Sequence, residues 1–205
     1  MCDGRHACIN AVRQTRRCAW VKDDALEVAY HDKEWGVPTR DQRKLFEFLI
    51  LEGAQAGLSW STVLAKREGY RAAFAQFDAQ TVAGYDDRQL KRLLDDPRIV
   101  RNRLKIASAV NNARRFLEVT SEFGAFADYL WGFTDNRAIH TGWADGADIP
   151  ATTKLSEALS RDLKRRGFTF VGSTICYAYM QAVGLVNDHT RDCFRYAQIK
   201  RIKLG

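Results

Sequence analysis

The chain has 205 residues, a formal net charge of +7 and a hydrophobic content of 46%. This length and composition are typical of a folded globular protein and exclude an intrinsically disordered chain. No apolar run approaches the roughly 20 residues of a membrane-spanning helix, and the first residues lack the hydrophobic centre of a secretory signal. We therefore expect no membrane partner and a cytoplasmic location.

Helical periodicity dominates the chain, and each of the three prolines falls where a helical pattern stops. In chain order, the pattern predicts helices over 41–52, 59–67, 86–94, 102–118, 126–133, 153–166 and 173–183. The Gly- and Asp-rich stretch 136–150 is predicted to be a loop or small hairpin that joins two lobes. Since strand-like alternation is scarce, the sequence predicts an all-α fold.

Basic residues are concentrated in a few segments of the chain. These are 98–105, 114–115, 164–166 and 200–203. Clustered positive charge supports salt-sensitive binding to phosphates, which favours a nucleic acid as the partner. The alternative is a basic surface that binds nothing.

One carboxylate stands among apolar residues in the stretch LEGAQAGLSW, residues 51–60. At helical spacing, Glu52 shares a face with Leu45, Phe48 and Leu49, and this face would turn toward the core. Burying an unpaired ion costs several kcal/mol, roughly. Either a basic residue neutralises Glu52, or the donors of a ligand meet it.

The stretch 167–172 has a glycine at each end and separates two predicted helices. Free backbone N–H groups at the start of the helix headed by Ser173 and Thr174 would suit a phosphate, and Lys164 adds charge beside it. An ordinary C-cap glycine, a tight turn and an N-cap serine fit the same letters. The pattern is similar to the helix-hairpin-helix of DNA base-excision glycosylases, of which it keeps the final Val-Gly.

Cysteine and histidine residues from both ends of the chain could form a tetrahedral zinc site. His189 and Cys193 are four residues apart, so one turn of chain would present both to one ion, while Cys18 and His31 would come from the other end. Four protein ligands leave no open position, so such a site is structural. The five cysteines, an odd number, do not suggest a disulfide framework. Ordinary burial is the alternative.

Four aromatic residues lie in the same N-terminal block as Glu52, namely Trp20, Tyr30, Trp35 and Trp60. Aromatic faces attract a cation by roughly 0.5–2 kcal/mol each, and a carboxylate accepts hydrogen bonds from ring or exocyclic N–H groups. Together they suit a flat cationic base. The alternative is that the tryptophans fill the core.

Several motifs follow one another in the order found in one enzyme family. They are CAW at 18–20, AYHDKEWGVP at 29–38, LEGAQAGLSW at 51–60, the stretch 168–176 and GLVNDH at 184–189. Together they resemble the DNA-3-methyladenine glycosylase I family, the constitutive alkyladenine glycosylases of bacteria, over about 17–193. We expect a single glycosylase domain of two helical lobes at 17–196. It would follow a disordered N-terminal extension at 1–16 and precede a basic tail at 197–205.

The resemblance implies a helix-hairpin-helix glycosylase fold whose structural zinc joins the N- and C-terminal segments through Cys18, His31, His189 and Cys193. It implies that Glu52, as the catalytic residue, holds the flipped base with Tyr30 and Trp60, and that Trp20 and Trp35 complete the walls. DNA contacts are implied for Gly57, Leu58, Gly172, Ser173, Thr174 and Lys164. The resemblance also implies that one pocket wall differs, because family members often have a tyrosine where this chain has Glu27.

The implied activity is hydrolysis of the N-glycosidic bond of 3-methyladenine, in base excision repair, by a monomer acting on double-stranded DNA. Bifunctional relatives carry a lysine where this chain has Thr174, so the enzyme is expected to be monofunctional and to leave an abasic site. Asp188 lies near the catalytic aspartate of related enzymes, and no role is assigned to it. The other hypotheses are a module that binds damaged DNA without cleavage, and a zinc nucleobase deaminase, whose motifs are missing.

Overall fold

The computed structural model describes residues 15–204. Within this range the chain is mostly helical, with eleven α-helices, two 3₁₀ helices and two strands of two residues each. Residues 1–14, most of the predicted N-terminal extension, lie outside the described residues. Between residues 15 and 204, no helix is long and apolar enough to cross a membrane.

The α-helices in chain order are α1 (Ala25–Lys33), α2 (Gln42–Gln55), α3 (Trp60–Ala65), α4 (Arg67–Ala73), α5 (Ala79–Ala83), α6 (Asp87–Asp95), α7 (Arg103–Phe123), α8 (Phe126–Gly132), α9 (Lys154–Arg165), α10 (Ser173–Ala182) and α11 (Phe194–Ile199). The 3₁₀ helices are Ala75–Phe77 and Gly146–Asp148, and the strands are β1 (Ile139–His140) and β2 (Val186–Asn187).

Side-chain caps fix the starts of four predicted helices. Asp41 accepts a hydrogen bond from a backbone N–H of α2, and Asn102 does the same for α7. Asp86 and Thr153 form reciprocal capping boxes at the starts of α6 and α9. Because a cap satisfies backbone donors that the first turn leaves free, these starts coincide with the predicted ones.

The structure corrects other predicted boundaries. The helix expected over 59–67 is two helices, α3 and α4, separated at Lys66. Helix α7 continues to Phe123, beyond the predicted end at residue 118, and stops at Gly124, whose φ is +85°. Helices α1, α5 and α11 were not predicted, and α11 crosses the predicted domain boundary at residue 196 with Ile199 buried.

The stretch 136–150 is not a hairpin. Its strand β1 pairs in parallel with β2, so that Ile139 faces Val186 and His140 faces Asn187. Parallel strands need a long connection, and here the connection contains α9 and α10. This small pair is the exception to the all-α prediction.

Helix α2 lies at the centre of the hydrophobic core. Ten of its fourteen residues are buried, and it packs against α3, α7, α8 and α10. The same core cluster contains Cys18 near one end of the chain and Cys193 near the other. The two ends are also joined by a hydrogen bond from the Phe194 N–H to the Arg16 carbonyl oxygen, 3.0 Å long.

A close contact at Gly184 holds the segment after α1 against the end of α10. Gly184 has a φ of +77°, and a Cβ there would lie 2.3 Å from the backbone nitrogen of Pro38. Backbone hydrogen bonds from Gly36 to Gln181 and from Thr39 to Val183 continue this contact. The N-terminal aromatic residues are thereby brought to the side of α10.

Candidate base pocket and metal centre

An aromatic cavity of about 390 Å³ opens beside the C-terminal half of α2. Glu52 lines it together with all four of the aromatic residues that the sequence singled out. Its remaining lining residues are Gln55, Gly146, Ile149, Ala178 and Gln181. The volume lies in the range of small-molecule sites.

The aromatic walls form two pairs. The ring centroids of Trp20 and Trp35 are 5.1 Å apart with an interplanar angle of 76°, and those of Tyr30 and Trp60 are 5.0 Å apart at 45°. The indole N–H groups of Trp20 and Trp60 are buried with no hydrogen-bond partner in the described part of the chain. Buried donors without partners are rare in folded proteins, so these two are available to a ligand or an ordered water.

Glu52 is buried, with an exposed fraction of 4%. Between residues 15 and 204, no hydrogen-bond donor or basic side chain pairs with its carboxylate. Burial raises the pKa of this carboxyl group to about 8. The site therefore presents an acid whose ionised form is stabilised only when a cation or a donor enters the cavity.

The nearby buried arginine is already paired. Arg67 donates one hydrogen bond of 2.8 Å to Glu47 and two hydrogen bonds of 2.7 and 2.8 Å to Glu34. Arg71 adds a second donor to Glu47 at 3.0 Å. Within the described residues, no basic side chain is therefore left to neutralise Glu52. Of the two explanations offered by the sequence, this favours a ligand whose donors meet the carboxylate.

Gln181 is a lining residue that the sequence did not single out. Its side-chain amide donates to a carboxylate oxygen of Asp188 at 2.6 Å, and the same carboxylate accepts from Thr141, Trp143 and Tyr177. Asp188 is thus a fully hydrogen-bonded buried acid that does not line the cavity. No sequence signal could find this cluster, since its members are separated by up to 47 residues.

Glu27 also does not line the cavity. Its carboxylate accepts a hydrogen bond of 3.0 Å from the backbone N–H of Lys22, and its exposed fraction is 4%. Glu27 is therefore a buried glutamate that is close in sequence to the aromatic residues but lies outside the pocket.

The four predicted metal ligands meet at one buried point. The ligand atoms of Cys18, His31, His189 and Cys193 all lie within 4.8 Å of one another. The Cys193 sulfur is 3.4 Å from His31 Nε2 and 3.5 Å from His189 Nδ1, and the Cys18 sulfur is 3.5 Å from the same Nδ1. Two sulfur and two nitrogen donors are a common set for structural zinc.

The outer nitrogens of both histidines are occupied. His189 Nε2 lies 3.0 Å from the carbonyl oxygen of Trp35, and because a carbonyl only accepts, this nitrogen carries the proton. His31 Nδ1 lies 2.8 Å from Asp32, which two nitrogens of Arg17 hold in place. The inner nitrogens therefore carry lone pairs that face the cluster, and that of His31 Nε2 also accepts a long hydrogen bond of 3.5 Å from the Cys18 N–H. The residues fit a bound metal.

The predicted DNA-contacting residues lie on two surface elements. One is the turn at 55–58, where Gly57 has a φ of +74° and the side chain of Leu58 is 38% exposed. The other is the loop 167–172, the predicted hairpin, where Gly172 is the N-cap residue of α10 and provides no side-chain cap. Lys164 and Thr174 are exposed on either side of this hairpin. The free N–H groups of α10 are therefore open to an anion.

A buried acid in an aromatic cavity, four convergent Cys and His side chains and an uncapped helix N-terminus are the features expected of a protein that binds a flat base and an anion. The sequence pattern of the methyladenine glycosylase family matches residues 20–196. DNA-3-methyladenine glycosylase 1 of Escherichia coli strain K12 is 51% identical over 180 residues, which cover 88% of this chain and 96% of that protein.

Solved structures agree with this similarity. A crystal structure of 3-methyladenine DNA glycosylase I superimposes with a TM-score of 0.85 at 52% identity and covers 87% of this chain and 98% of its own. The structure that describes 3-methyladenine recognition by the Staphylococcus aureus enzyme has the same TM-score at 34% identity and covers 88% and 96%. The chain belongs to the methyladenine glycosylase family, and it is a DNA glycosylase of base excision repair, a hydrolase of N-glycosyl bonds.

Proposed function

We propose that this chain removes 3-methyladenine from alkylated double-stranded DNA as a monomer, with Glu52 as the residue that recognises the base. The observation that carries the proposal is the buried carboxylate without a partner in a cavity of about 390 Å³. The E. coli relative and the S. aureus structure are named for the same base. A cationic base in the cavity would stabilise a carboxylate whose ionised form burial alone disfavours.

Selectivity is expected to come from charge. N3-methylation makes the adenine of DNA a cation, and this weakens its glycosidic bond before the enzyme acts. The aromatic walls attract a cation more than a neutral ring, and the Glu52 carboxylate accepts N–H groups of the base. Because the ionised form of Glu52 is costly in the empty cavity, an incoming cation gains more from it than a neutral adenine would.

Tyr30 and Trp60 are the residues that we assign to the face and edge of the flipped base. Trp20 and Trp35 complete the walls. With the base held in place, the bond between the base and C1′ of the sugar breaks, and its electron pair stays on the cationic base, which leaves as neutral 3-methyladenine. Water adds to C1′ and loses one proton to the solvent. No general acid is required for this step. Asp188 already accepts four hydrogen bonds, and we assign it no role in the reaction.

Contact with DNA is assigned to the two surface elements. Gly57 and Leu58 would fill the gap that the extruded nucleotide leaves, and extrusion costs a few kcal/mol, roughly, that these contacts offset. The hairpin, used as a helix-hairpin-helix, would bind the backbone through Gly172, Ser173 and Thr174, with Lys164 beside it. The position of Thr174 offers no amine for a Schiff base, so we expect no strand cleavage.

The metal is assigned a structural role. Zinc bound by Cys18, His31, His189 and Cys193 would join the two ends of the chain, and four protein ligands leave no position for water or substrate. A deaminase requires that open position. A metal held in this way takes no part in the reaction.

The test is release of free 3-methyladenine from methylated duplex DNA, separated by chromatography. We expect release by the wild type and a decrease of roughly 10- to 100-fold or more for Glu52→Gln, because the amide cannot supply the negative charge. The DNA should carry abasic sites and remain uncut until alkali is added.

Glu27→Gln is the matched control, since it removes a carboxylate that is equally buried but lies outside the cavity. It should keep the wild-type rate. No release by a folded wild type would favour a module that only binds damaged DNA. Equal release by wild type and Glu52→Gln would remove Glu52 from recognition while keeping the enzyme.

A further inference from the structure

One lysine of α7 reaches across to the end of α2. The ammonium group of Lys105 donates hydrogen bonds of 2.8 Å to the carbonyl oxygen of Ala54 and 2.6 Å to that of Ala56. Carbonyls in the last turn of a helix have no partner within the helix, and a cation there is favoured by the helix dipole. Lys105 therefore fixes the peptide that directly precedes Gly57.

The same face of α7 binds the hairpin. Asn112 donates to the carbonyl oxygen of Thr169 and accepts from its N–H, both at 2.9 Å. The Ser108 hydroxyl lies 2.9 Å from the hydroxyl of Thr169 and 3.3 Å from its carbonyl oxygen. Residues at 105, 108 and 112 are spaced to lie along one side of a helix.

The end of α2 and the 167–172 hairpin also contact each other directly. A Cβ on Gly53 of α2 would lie 3.4 Å from the Cβ of Phe170, so the end of α2 and the hairpin are in close contact there. Phe170 has a φ of +54°, a conformation that a non-glycine residue adopts only when its surroundings hold it. The side chains on α7 supply that support through the neighbouring Thr169.

We propose that Lys105, Ser108 and Asn112 are positioning residues that hold the 55–58 turn and the 167–172 hairpin at one fixed separation. The inference rests on the proposed function, in which the turn fills the gap in the duplex and the hairpin binds its backbone. A rigid spacing lets both contacts form together, without a rearrangement on binding. None of the three residues touches the base.

A direct contact between Lys105 and a DNA phosphate is the competing explanation. In favour of this explanation, the side chain of Lys105 is only half-buried. Against it, the ammonium group already donates to two carbonyl oxygens. A phosphate contact would weaken binding through charge, whereas a positioning role acts through the geometry of the turn. The two explanations predict different salt dependence.

Lys105→Met tests the proposal, with Arg103→Met as the comparison. Arg103 is exposed two residues earlier on α7, and its replacement removes the same charge without touching the turn. For Lys105→Met we expect release of 3-methyladenine from duplex DNA to fall roughly 10- to 100-fold. Affinity for free 3-methyladenine, measured by calorimetry, should stay at the wild-type value. The slope of log affinity for the DNA against log salt concentration should also be unchanged.

Amide hydrogen exchange gives a readout that does not depend on activity. Lys105→Met should speed exchange at 55–58, and Asn112→Ala should speed it at 168–170, while Arg103→Met should change neither. Should the wild type release no base, the proposed function fails, and the exchange rates still decide the positioning role.

Three results would overturn the inference. One is wild-type activity and exchange in Lys105→Met. Another is an equal loss in Lys105→Met and Arg103→Met with a salt slope lowered by about 1, which identifies a phosphate contact. The third is a matching loss of free-base affinity in Lys105→Met, which identifies damage to the pocket.

Discussion

The carboxyl group of Glu52 has an ordinary pKa of 4.5, and burial raises this pKa to about 8. Between these values the folded protein holds the proton while the unfolded chain has lost it. The free energy of unfolding should therefore fall as the pH rises from about 4.5 to about 8, and it should level off above that. Burial of Glu52 therefore makes the folded protein more stable at low pH than at high pH.

Glu52→Gln should remove this dependence, because the amide carries no proton to lose. At pH 5 we expect the variant and the wild type to be similarly stable, and at pH 8 the variant should be more stable by at most about 5 kcal/mol. Denaturant unfolding at several pH values measures the difference. Parallel stability profiles for the two proteins would show that Glu52 is solvated or paired.

Sequence reasoning at the residue scale identified the unusual acid but not its surroundings. Glu52 stood out because it shares a helical face with apolar residues. Arg67 pairs with Glu34 and Glu47, which are 33 and 20 residues away in the sequence. This pairing depends on how α1, α2 and α4 pack. The choice between a paired and an unpaired carboxylate therefore required the tertiary structure.

At the scale of helices and strands, the sequence predicted features with local causes and missed those that depend on distant residues. Helix starts at 42, 87, 103 and 154 were predictable because a cap and the first turn are neighbours in sequence. The pairing of β1 with β2 was not, since two residues give no alternation and their partners are 47 apart. The contact of Lys105 with Ala54 spans 51 residues and has no sequence signature.

Two glycines with left-handed backbone give a matched test at the scale of elements. Gly184 has a φ of +77° and lies against Pro38, whereas Gly57 has a φ of +74° and open space around it. Alanine at Gly57 should cost about 1 kcal/mol of unfolding free energy, the price of the backbone conformation. Alanine at Gly184 adds a clash and should cost roughly 2–4 kcal/mol.

Chemical denaturation of the two variants measures both costs. Equal destabilisation would mean that the segment near Pro38 moves away readily from α10. Since Trp35 belongs to that segment, we expect Gly184→Ala, but not Gly57→Ala, to weaken binding of free 3-methyladenine.

At the scale of the whole molecule, the cluster of two cysteines and two histidines connects residues that are far apart in sequence. Cys18 and Cys193 lie in one buried core, and the ligand atoms of Cys18, His31, His189 and Cys193 lie within 4.8 Å of one another. A metal that binds only the folded protein stabilises it by about 4 kcal/mol at a thousandfold excess over its Kd. For a chain of this size, that corresponds to roughly 8–16 °C in Tm.

We expect purified protein to contain one zinc per chain, and a chelator or Cys193→Ala to lower Tm by this amount. Cys176→Ala is the control, because Cys176 is buried but donates its S–H toward the Val171 carbonyl oxygen, outside the cluster. Elemental analysis and calorimetry report the outcome. Full zinc content in Cys193→Ala, or an unchanged Tm after chelation, would reject the metal site.

Burial of the sulfur atoms has a consequence for the conditions in which such an enzyme works. Cys18, Cys176 and Cys193 have exposed fractions of 3%, 1% and 3%. Methylating agents, which create the damage, also react with accessible thiolates, and a thiolate that is shielded from solvent is a poor target. We therefore expect these three sulfur atoms to react slowly with a methylating agent, so that the fold outlasts the alkylation of the DNA.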